Sequence, residues 1–106
     1  MDHGAAKVPK VLVVDDDETF RRSIVRVLGA LGYGISEAAS GEDALISVRG
    51  ATPDIVVTDL QMPGIDGLEV QQRMAADGFD FPVIVLTGHG DIDLAVRAMK
   101  AGAADF

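Results

Sequence analysis

Acidic and hydroxyl side chains follow three short apolar segments of this sequence, at the point where each segment ends. They are the run Asp15-Asp16-Asp17, then Asp59, then Thr87. Unneutralised carboxylates about 4 Å apart repel by roughly 1 kcal/mol in bulk water and by about 4 kcal/mol at an effective dielectric of 20. A hard divalent cation removes that repulsion, and Mg²⁺ typically binds one or two carboxylates together with phosphate oxygens. If these aspartates meet in the fold, the pattern predicts a magnesium site that also accepts a phosphoryl group.

Asp59 is the candidate nucleophile of such a site. A carboxylate beside a metal ion can attack phosphorus and become an acyl phosphate. Thr87 offers a hydroxyl group to the phosphoryl oxygens, and the backbone at Gly88 and Gly90 permits close approach to them. This combination of residues indicates phosphoryl transfer onto the protein itself.

Each aspartate also has a purely structural interpretation. An Asp between a strand and a helix often caps the helix, so Asp17 is expected to be a cap or a solvated residue. Asp15 and Asp16, taken singly, fit a cap and a binding site equally well. Asp59 alone would also fit a turn. Caps have no reason to converge in space, however, so convergence of the set favours the site.

Predicted strands and helices alternate along the chain around these residues. Apolar runs predict strands at 11–14, 33–38, 55–57 and 83–86, with the start of a fifth strand at 103–106. A helix pattern follows each of the first four strands. The first two patterns are Phe20, Ile24, Val27, Leu28 and Leu31 before a C-terminal Gly32, and Ala44, Leu45 and Val48 after a Ser40 cap. The third is a short helix through about Ala76, and the fourth is Ile92, Ala95, Val96 and Met99 after an Asp91 cap. This alternation predicts βαβ units and a parallel sheet covered on both faces. Ligands of such sheets bind at the carboxyl ends of the strands.

Two finer expectations concern individual faces. The segment 33–38 is more polar than the other strands and is expected at a sheet edge. Arg21, Arg22 and Arg26 lie among the apolar residues of the first predicted helix and are expected to point to water.

Composition excludes several classes of protein. The 106 residues suit one domain, and a formal charge of −8 disfavours direct binding of this domain to nucleic acid or an anionic membrane. Cysteine is absent, which excludes disulfides and thiolate chemistry. No apolar run approaches the length of about 18 residues that a membrane span needs. A cytoplasmic location is expected.

Three segments of the sequence resemble the successive signatures of response-regulator receiver domains. They are Val14–Asp16, Asp59–Gly67 and Leu86–Gly88, and the Asp-x-x-Met-Pro-x-x-Asp-Gly pattern in the second is the most specific. The resemblance runs from Lys10 to Phe106, and the Thr-Gly-His-Gly-Asp stretch is similar to receivers of nitrogen-fixation and nitrogen-assimilation transcriptional regulators. It implies an α/β, flavodoxin-like (βα)5 three-layer sandwich with parallel sheet order 2-1-3-4-5, truncated within or just after strand 5.

The resemblance also implies the roles of the metal-site residues. Asp59 matches the phosphorylated aspartate, Asp16 the direct Mg²⁺ ligand, and Asp15 the aspartate that usually acts through water. Gln61 matches the residue whose backbone carbonyl completes the metal shell. Mn²⁺ is expected to substitute for Mg²⁺.

A conformational switch is implied as well. Thr87 matches the hydroxyl that moves toward the phosphoryl group, Gly88 contacts that group, and Phe106 matches the aromatic residue whose rotamer follows. Asp59 and Thr87 are therefore the residues expected to act in phosphoryl uptake. The family has a lysine shortly after the aromatic residue, then a proline and a final helix. Lys100 precedes the aromatic residue and does not match that lysine, which in the family normally pairs with the phosphoryl group.

The implied function is that of a phospho-accepting receiver domain in a two-component system. A sensor histidine kinase or phosphotransfer protein would supply the phosphoryl group, and a C-terminal output domain would control transcription, with homodimerisation on activation as an open alternative. The domain is not expected to be an enzyme beyond uptake and hydrolysis at Asp59. It is expected at 10–106, without the end of strand 5 and the last helix, after a loose leader at 1–9. The competing functions are a magnesium-dependent phosphohydrolase with an Asp nucleophile, which Asp15–Thr19 superficially resembles, and a receiver-like docking module that is never phosphorylated.

Overall fold

Short runs rich in β-branched residues form one parallel sheet. The computed structural model describes residues 8–87 and Val96. Its strands are β1 (Lys10–Val14), β2 (Gly34–Ala38), β3 (Ile55–Asp59) and β4 (Val83–Leu86), and they pair in the order β2-β1-β3-β4. Each predicted strand in this part of the chain is confirmed to within two residues, and the order agrees with the first four places of the implied order. The predicted fifth strand lies outside the described residues.

Three helices connect these strands. They are α1 (Glu18–Ala30), α2 (Gly41–Gly50) and α3 (Gly67–Ala76). Each begins after a residue whose side chain accepts a backbone N–H bond from three residues further on, namely Asp17, Ser40 and Asp66. Capping by Ser40 is confirmed. Of the helix predicted after Asp91, only Val96 is among the described residues, and it is helical.

The sheet separates two hydrophobic clusters. On one face, Leu12, Val14 and Val56 pack with buried residues of α2 and α3. On the other face, Val11, Val13, Ile55 and Val57 pack with Ile24 and Leu28 of α1 and with Val96. Neighbouring residues of a strand point to opposite faces, so the consecutive apolar residues Val11–Val14 of β1 and Ile55–Val57 of β3 fill both clusters. A sheet covered on both faces, as the continuous apolar runs predict, is confirmed for β1 and β3.

The edges of the described sheet are less buried. β2 pairs only with β1 there and has exposed residues at Ser36 and Glu37, as predicted for an edge strand. Leu31 differs from its predicted place on the buried face of the first helix, because α1 ends at Ala30 and Leu31 is 47% exposed. Gly32 has a φ of 98°, as expected of a glycine at a helix C-terminus. Within the described part of the chain, no helix is both long and apolar enough to cross a membrane.

Candidate metal and phosphoryl site

Strand register brings the acidic residues together. Val14 of β1 lies beside Thr58 of β3, so the next residues along the two parallel strands, Asp15 and Asp59, lie at the same edge of the sheet. One carboxylate oxygen from each of Asp15, Asp16 and Asp59 lies within 4.8 Å of the others. The predicted convergence of these three residues is therefore seen in the fold.

The three carboxylates differ in their exposure to solvent. Asp15 is 1% exposed and Asp59 is 7% exposed, whereas Asp16 is exposed. Burial of an ionised carboxylate is costly unless a cation or hydrogen bonds compensate for the lost water. Carboxylate oxygens are the ligands that hard divalent cations prefer, so this donor set fits Mg²⁺. The exposed Asp16 leaves the cluster accessible from solvent.

Hydrogen bonds hold the turn that follows β1. The N–H of Asp15 donates to the Ala38 carbonyl oxygen at 3.1 Å, which continues the β1–β2 pairing beyond the last strand residue. Oδ1 of Asp15 accepts from the N–H of Asp17 at 2.9 Å. Oδ1 of Asp17 in turn accepts from the N–H of Phe20 at 3.0 Å. Asp17 is therefore the cap of α1, which decides between the alternatives for that residue in favour of capping.

Arg21 also contacts this turn, contrary to its predicted place in solvent. Its side chain is only 12% exposed. Nη1 donates to the Asp15 carbonyl oxygen at 2.7 Å, and Nε donates to Oε1 of Glu37 at 2.9 Å. The spacing of Arg21, Ile24 and Leu28 places Arg21 on the buried face of α1, a signal that its charge masked. Arg22 and Arg26 are exposed, as predicted.

The loop between β3 and α3 is fixed at both ends and in its middle. The N–H of Leu60 donates to the Leu86 carbonyl oxygen at 2.8 Å, so the β3–β4 pairing continues past Asp59. Met62 and Ile65 are buried in the core cluster on the α2–α3 face. Gln61 lies exposed between these fixed points.

Glycine is needed where this loop enters α3. A Cβ on Gly67 would overlap the carbonyl oxygen of Asp59 and lie 3.1 Å from the Cα of Leu60. The N–H of Gly67 donates to the Leu60 carbonyl oxygen at 2.8 Å. Gly64 has a φ of 80°, and a Cβ on it would lie 2.7 Å from Oε2 of Glu42. Gly64 thus has a conformational cause in its positive φ, and Gly67 has a steric cause that involves Asp59 directly.

The remaining predicted site residues divide between the described and undescribed parts of the chain. Thr87 is exposed and directly follows Leu86, whose strand neighbour is Asp59. The roles of Thr87 and of the Gln61 carbonyl remain predictions. Gly88 and Phe106 lie outside the described residues.

Comparison with known proteins adds to this geometry. The family model of response regulator receiver domains matches residues 11–106. The chain is 42% identical over 96 residues to the transcriptional regulatory protein FixJ of Bradyrhizobium diazoefficiens, covering 91% of this chain and 47% of that protein. It is 40% identical over 98 residues to the C4-dicarboxylate transport transcriptional regulatory protein DctD of Rhizobium meliloti, covering 92% and 21%. The crystal structure of FixJ-N aligns with a TM-score of 0.73 at 36% identity, covering 92% of this chain and 78% of that one. The chain thus spans less than half the length of either curated relative.

Proposed function

This chain belongs to the response regulator receiver domain family, and from that membership we propose that it signals by accepting a phosphoryl group on Asp59. The observation that supports the proposal is the meeting of Asp15, Asp16 and Asp59 within 4.8 Å at the carboxyl edge of the sheet. A receiver domain implies a histidine kinase as its partner. Asp59 ends β3, and the residue after it, Leu60, is hydrogen-bonded to Leu86 and Gly67, so the main chain on which the Asp59 carboxylate is carried is hydrogen-bonded on both sides of the loop start.

The proposed step transfers phosphorus from nitrogen to oxygen. A carboxylate oxygen of Asp59 attacks the phosphorus of a phosphohistidine on the kinase or a phosphotransfer protein. The P–N bond breaks, the imidazole nitrogen keeps the electron pair, and Asp59 becomes an acyl phosphate. Water later attacks the phosphorus, which releases inorganic phosphate and restores the carboxylate.

Asp15, Asp16, Asp59 and the backbone carbonyl of Gln61 would hold Mg²⁺, with Mn²⁺ as a substitute. When bound, the ion neutralises charge on the transferring phosphoryl oxygens. The side chains contribute independently of that charge, because Asp15 directly follows β1, Asp59 ends β3, and both are almost fully buried, so they do not need to be ordered at the moment of transfer.

Thr87 and Gly88 are proposed to contact the phosphoryl oxygens, and Phe106 to change rotamer when Thr87 moves. The register of Asp59 beside Leu86 supports a place for Thr87 next to the phosphoacceptor. The Thr87 hydroxyl would act by donating a hydrogen bond to the acyl phosphate.

The receiver is proposed to occupy the chain from Lys10 onward. The natural protein is proposed to control transcription through a separate output domain. Two relatives that are 42% and 40% identical to the chain are named as transcriptional regulators. Each relative is more than twice as long as the region that matches this chain. The charge of −8 makes this domain unsuited to contact DNA itself. A cytoplasmic location and dimerisation on activation belong to the same proposal.

Phosphoryl uptake by an Asp59→Asn variant tests the assignment. The full-length protein is incubated with Mg²⁺ and a small phosphodonor, and intact mass is measured. Wild type is expected to gain one phosphoryl group and Asp59→Asn none. Asp66→Asn is the matched control, since Asn caps α3 as well as Asp does, and it is expected to label like wild type.

Three other outcomes would contradict the proposal. Labelling that persists in Asp59→Asn would place the phosphoacceptor elsewhere. Sustained turnover of a phosphomonoester would favour a phosphohydrolase, and a wild type that neither binds Mg²⁺ nor takes up phosphoryl groups would favour a docking module.

A further inference from the structure

Arg21 differs from the other two arginines of α1 in its surroundings. Arg22 and Arg26 are exposed, whereas the Arg21 side chain is 12% exposed and donates in two directions. One donor meets the main chain at Asp15 and the other meets the carboxylate of Glu37. Arg21 thus joins α1, the end of β1 and the end of β2 at a single guanidinium.

The bond to Asp15 orients the peptide that leads into Asp16. The Asp15 carbonyl oxygen, which accepts from Arg21 at 2.7 Å, belongs to the same planar peptide unit as the N–H of Asp16. Fixing this carbonyl therefore fixes the plane from which the Cα of Asp16 departs. Since Asp16 is exposed, packing against the core does not hold its side chain, and the direction of its main chain matters correspondingly more.

Glu37 holds the guanidinium in place. Its Oε1 accepts from Nε of Arg21 at 2.9 Å, and Glu37 itself lies in β2 beside Val13 of β1. The planar guanidinium presents its donors in a rigid fork, whereas a lysine ammonium on a flexible stem does not. The two acceptors therefore suit arginine specifically and not just any cation.

From these contacts we propose that Arg21 is a positioning residue for the metal site, which holds the Asp15–Asp16 peptide in the orientation that lets both carboxylates bind Mg²⁺. The inference rests on the proposed function and assigns to that site a residue that contacts neither the metal nor the phosphoryl group. Partners of this kind, one step removed from a metal ion, typically contribute 10–100-fold to metal affinity.

Positioning and charge have opposite effects on Mg²⁺ binding. A guanidinium near the cluster repels a divalent cation, so loss of charge alone would tighten binding. Loss of positioning would weaken it. Arg21→Gln removes both effects, Arg21→Lys retains the charge but not the fork, and Arg22→Gln and Arg22→Lys make the same changes at the adjacent, exposed position.

Magnesium affinity of these variants tests the inference. The Kd for Mg²⁺ is measured by calorimetry on the full-length protein, at fixed ionic strength and at a temperature where each variant is folded. Arg21→Lys is expected to weaken binding by about tenfold, and Arg21→Gln to weaken it less, because its loss of charge opposes its loss of positioning. The Arg22 variants are expected to bind like wild type. Amide exchange without metal is the second readout, and the Asp17 N–H, which donates to Oδ1 of Asp15, is expected to exchange faster in both Arg21 variants but not in the Arg22 variants.

Glu37→Ala extends the test if an Arg21 variant fails to fold. It keeps Arg21 and its bond to Asp15 but removes the anchor, so it is expected to weaken Mg²⁺ binding less than Arg21→Lys does.

Two results would overturn the inference, and they differ in what they say of the proposed function. If the Arg21 variants, or Glu37→Ala in their place, bind Mg²⁺ no more weakly than the Arg22 variants, Arg21 is structural only and the proposed function stands. If wild type binds no Mg²⁺, the proposed function is wrong and this inference with it.

Discussion

At the scale of single residues, the site concentrates negative charge where water is scarce. Asp15 and Asp59 are almost fully buried, and Asp16 lies within 4.8 Å of both. Pairs of like charges at such distances repel by about 1 to 4 kcal/mol, depending on the effective dielectric. The metal-free site is therefore expected to destabilise the fold that carries it.

Asp16→Asn is expected to raise the free energy of unfolding without metal by about 1 kcal/mol, because it removes one of the three repelling charges. The same variant is expected to gain less stability from Mg²⁺. Urea unfolding with and without Mg²⁺ measures both effects. Asp17→Asn is the control, because it makes the same change at the adjacent residue while keeping the α1 cap. If both variants had the same free energies of unfolding, with and without Mg²⁺, the result would argue against the metal site.

Gly67→Ala is expected to destabilise the protein by about 1–3 kcal/mol, because the added methyl group meets backbone atoms that cannot rotate away. The affected backbone is that of Asp59 and Leu60, so phosphoryl uptake should fall as well. Gly29→Ala in α1 is the comparison, since a Cβ there meets nothing within 4 Å. Thermal unfolding of the two variants checks the difference. A Gly67→Ala variant as stable as wild type would show that the backbone of this loop can shift to accommodate the methyl group.

At the scale of elements, the β3–α3 loop depends on side chains that it buries away from the site. Ile65 packs in the core cluster, and its side chain occupies the space that a Cβ on Gly41 of α2 would need. The loop that carries Gln61 is thereby held between Asp59 and the α2–α3 layer. Order at the metal site is expected to depend on this remote packing.

Ile65→Ala is expected to lower the free energy of unfolding by about 2–5 kcal/mol, as for other buried large-to-small changes. It should also weaken Mg²⁺ binding, because the Gln61 carbonyl would lose its support. Leu68→Ala is the matched control, since Leu68 is 49% exposed three residues further along. Denaturant unfolding and metal titration separate the two predictions. Undiminished Mg²⁺ affinity in a destabilised Ile65→Ala would remove Gln61 from the proposed metal shell.

For the whole molecule, the net negative charge of the chain and the negative charge of the acidic cluster both destabilise the metal-free folded state through repulsion. The chain has a formal charge of −8, and diffuse repulsion of this kind is screened by any salt. The acidic cluster, by contrast, should respond to a divalent cation that binds it. Salt and magnesium therefore report on different parts of the electrostatic free energy.

Mg²⁺ is expected to raise the Tm beyond the effect of NaCl at equal ionic strength. At about a hundred times its Kd, a ligand that binds only the folded state contributes near 2.7 kcal/mol. Calorimetric melting in the two salts measures the excess. An identical Tm in both would mean that the metal acts by screening alone and that no specific site exists.

Local patterns in the sequence were enough to predict the helices, the strands and the acidic residues of the site. Continuous apolar runs and helix-spaced residues predicted β1 to β4 and α1 to α3, because these patterns depend on local geometry. The ends of parallel strands share one edge of a sheet, so the meeting of Asp15, Asp16 and Asp59 followed once the alternation was recognised.

The contacts that support the site became visible only once the elements were packed together. They include the hydrogen bonds of Arg21 to Asp15 and Glu37, the overlap of a Gly67 Cβ with the Asp59 carbonyl, and the contact of Ile65 with the position of a Gly41 Cβ. Each of these contacts joins two different elements or an element and a loop. Their partners depend on strand register and on the seating of each helix, which periodicity does not specify. A charge on an amphipathic helix is ordinarily solvated, and Arg21 departs from that rule because main-chain and carboxylate acceptors meet it at the carboxyl edge of the sheet.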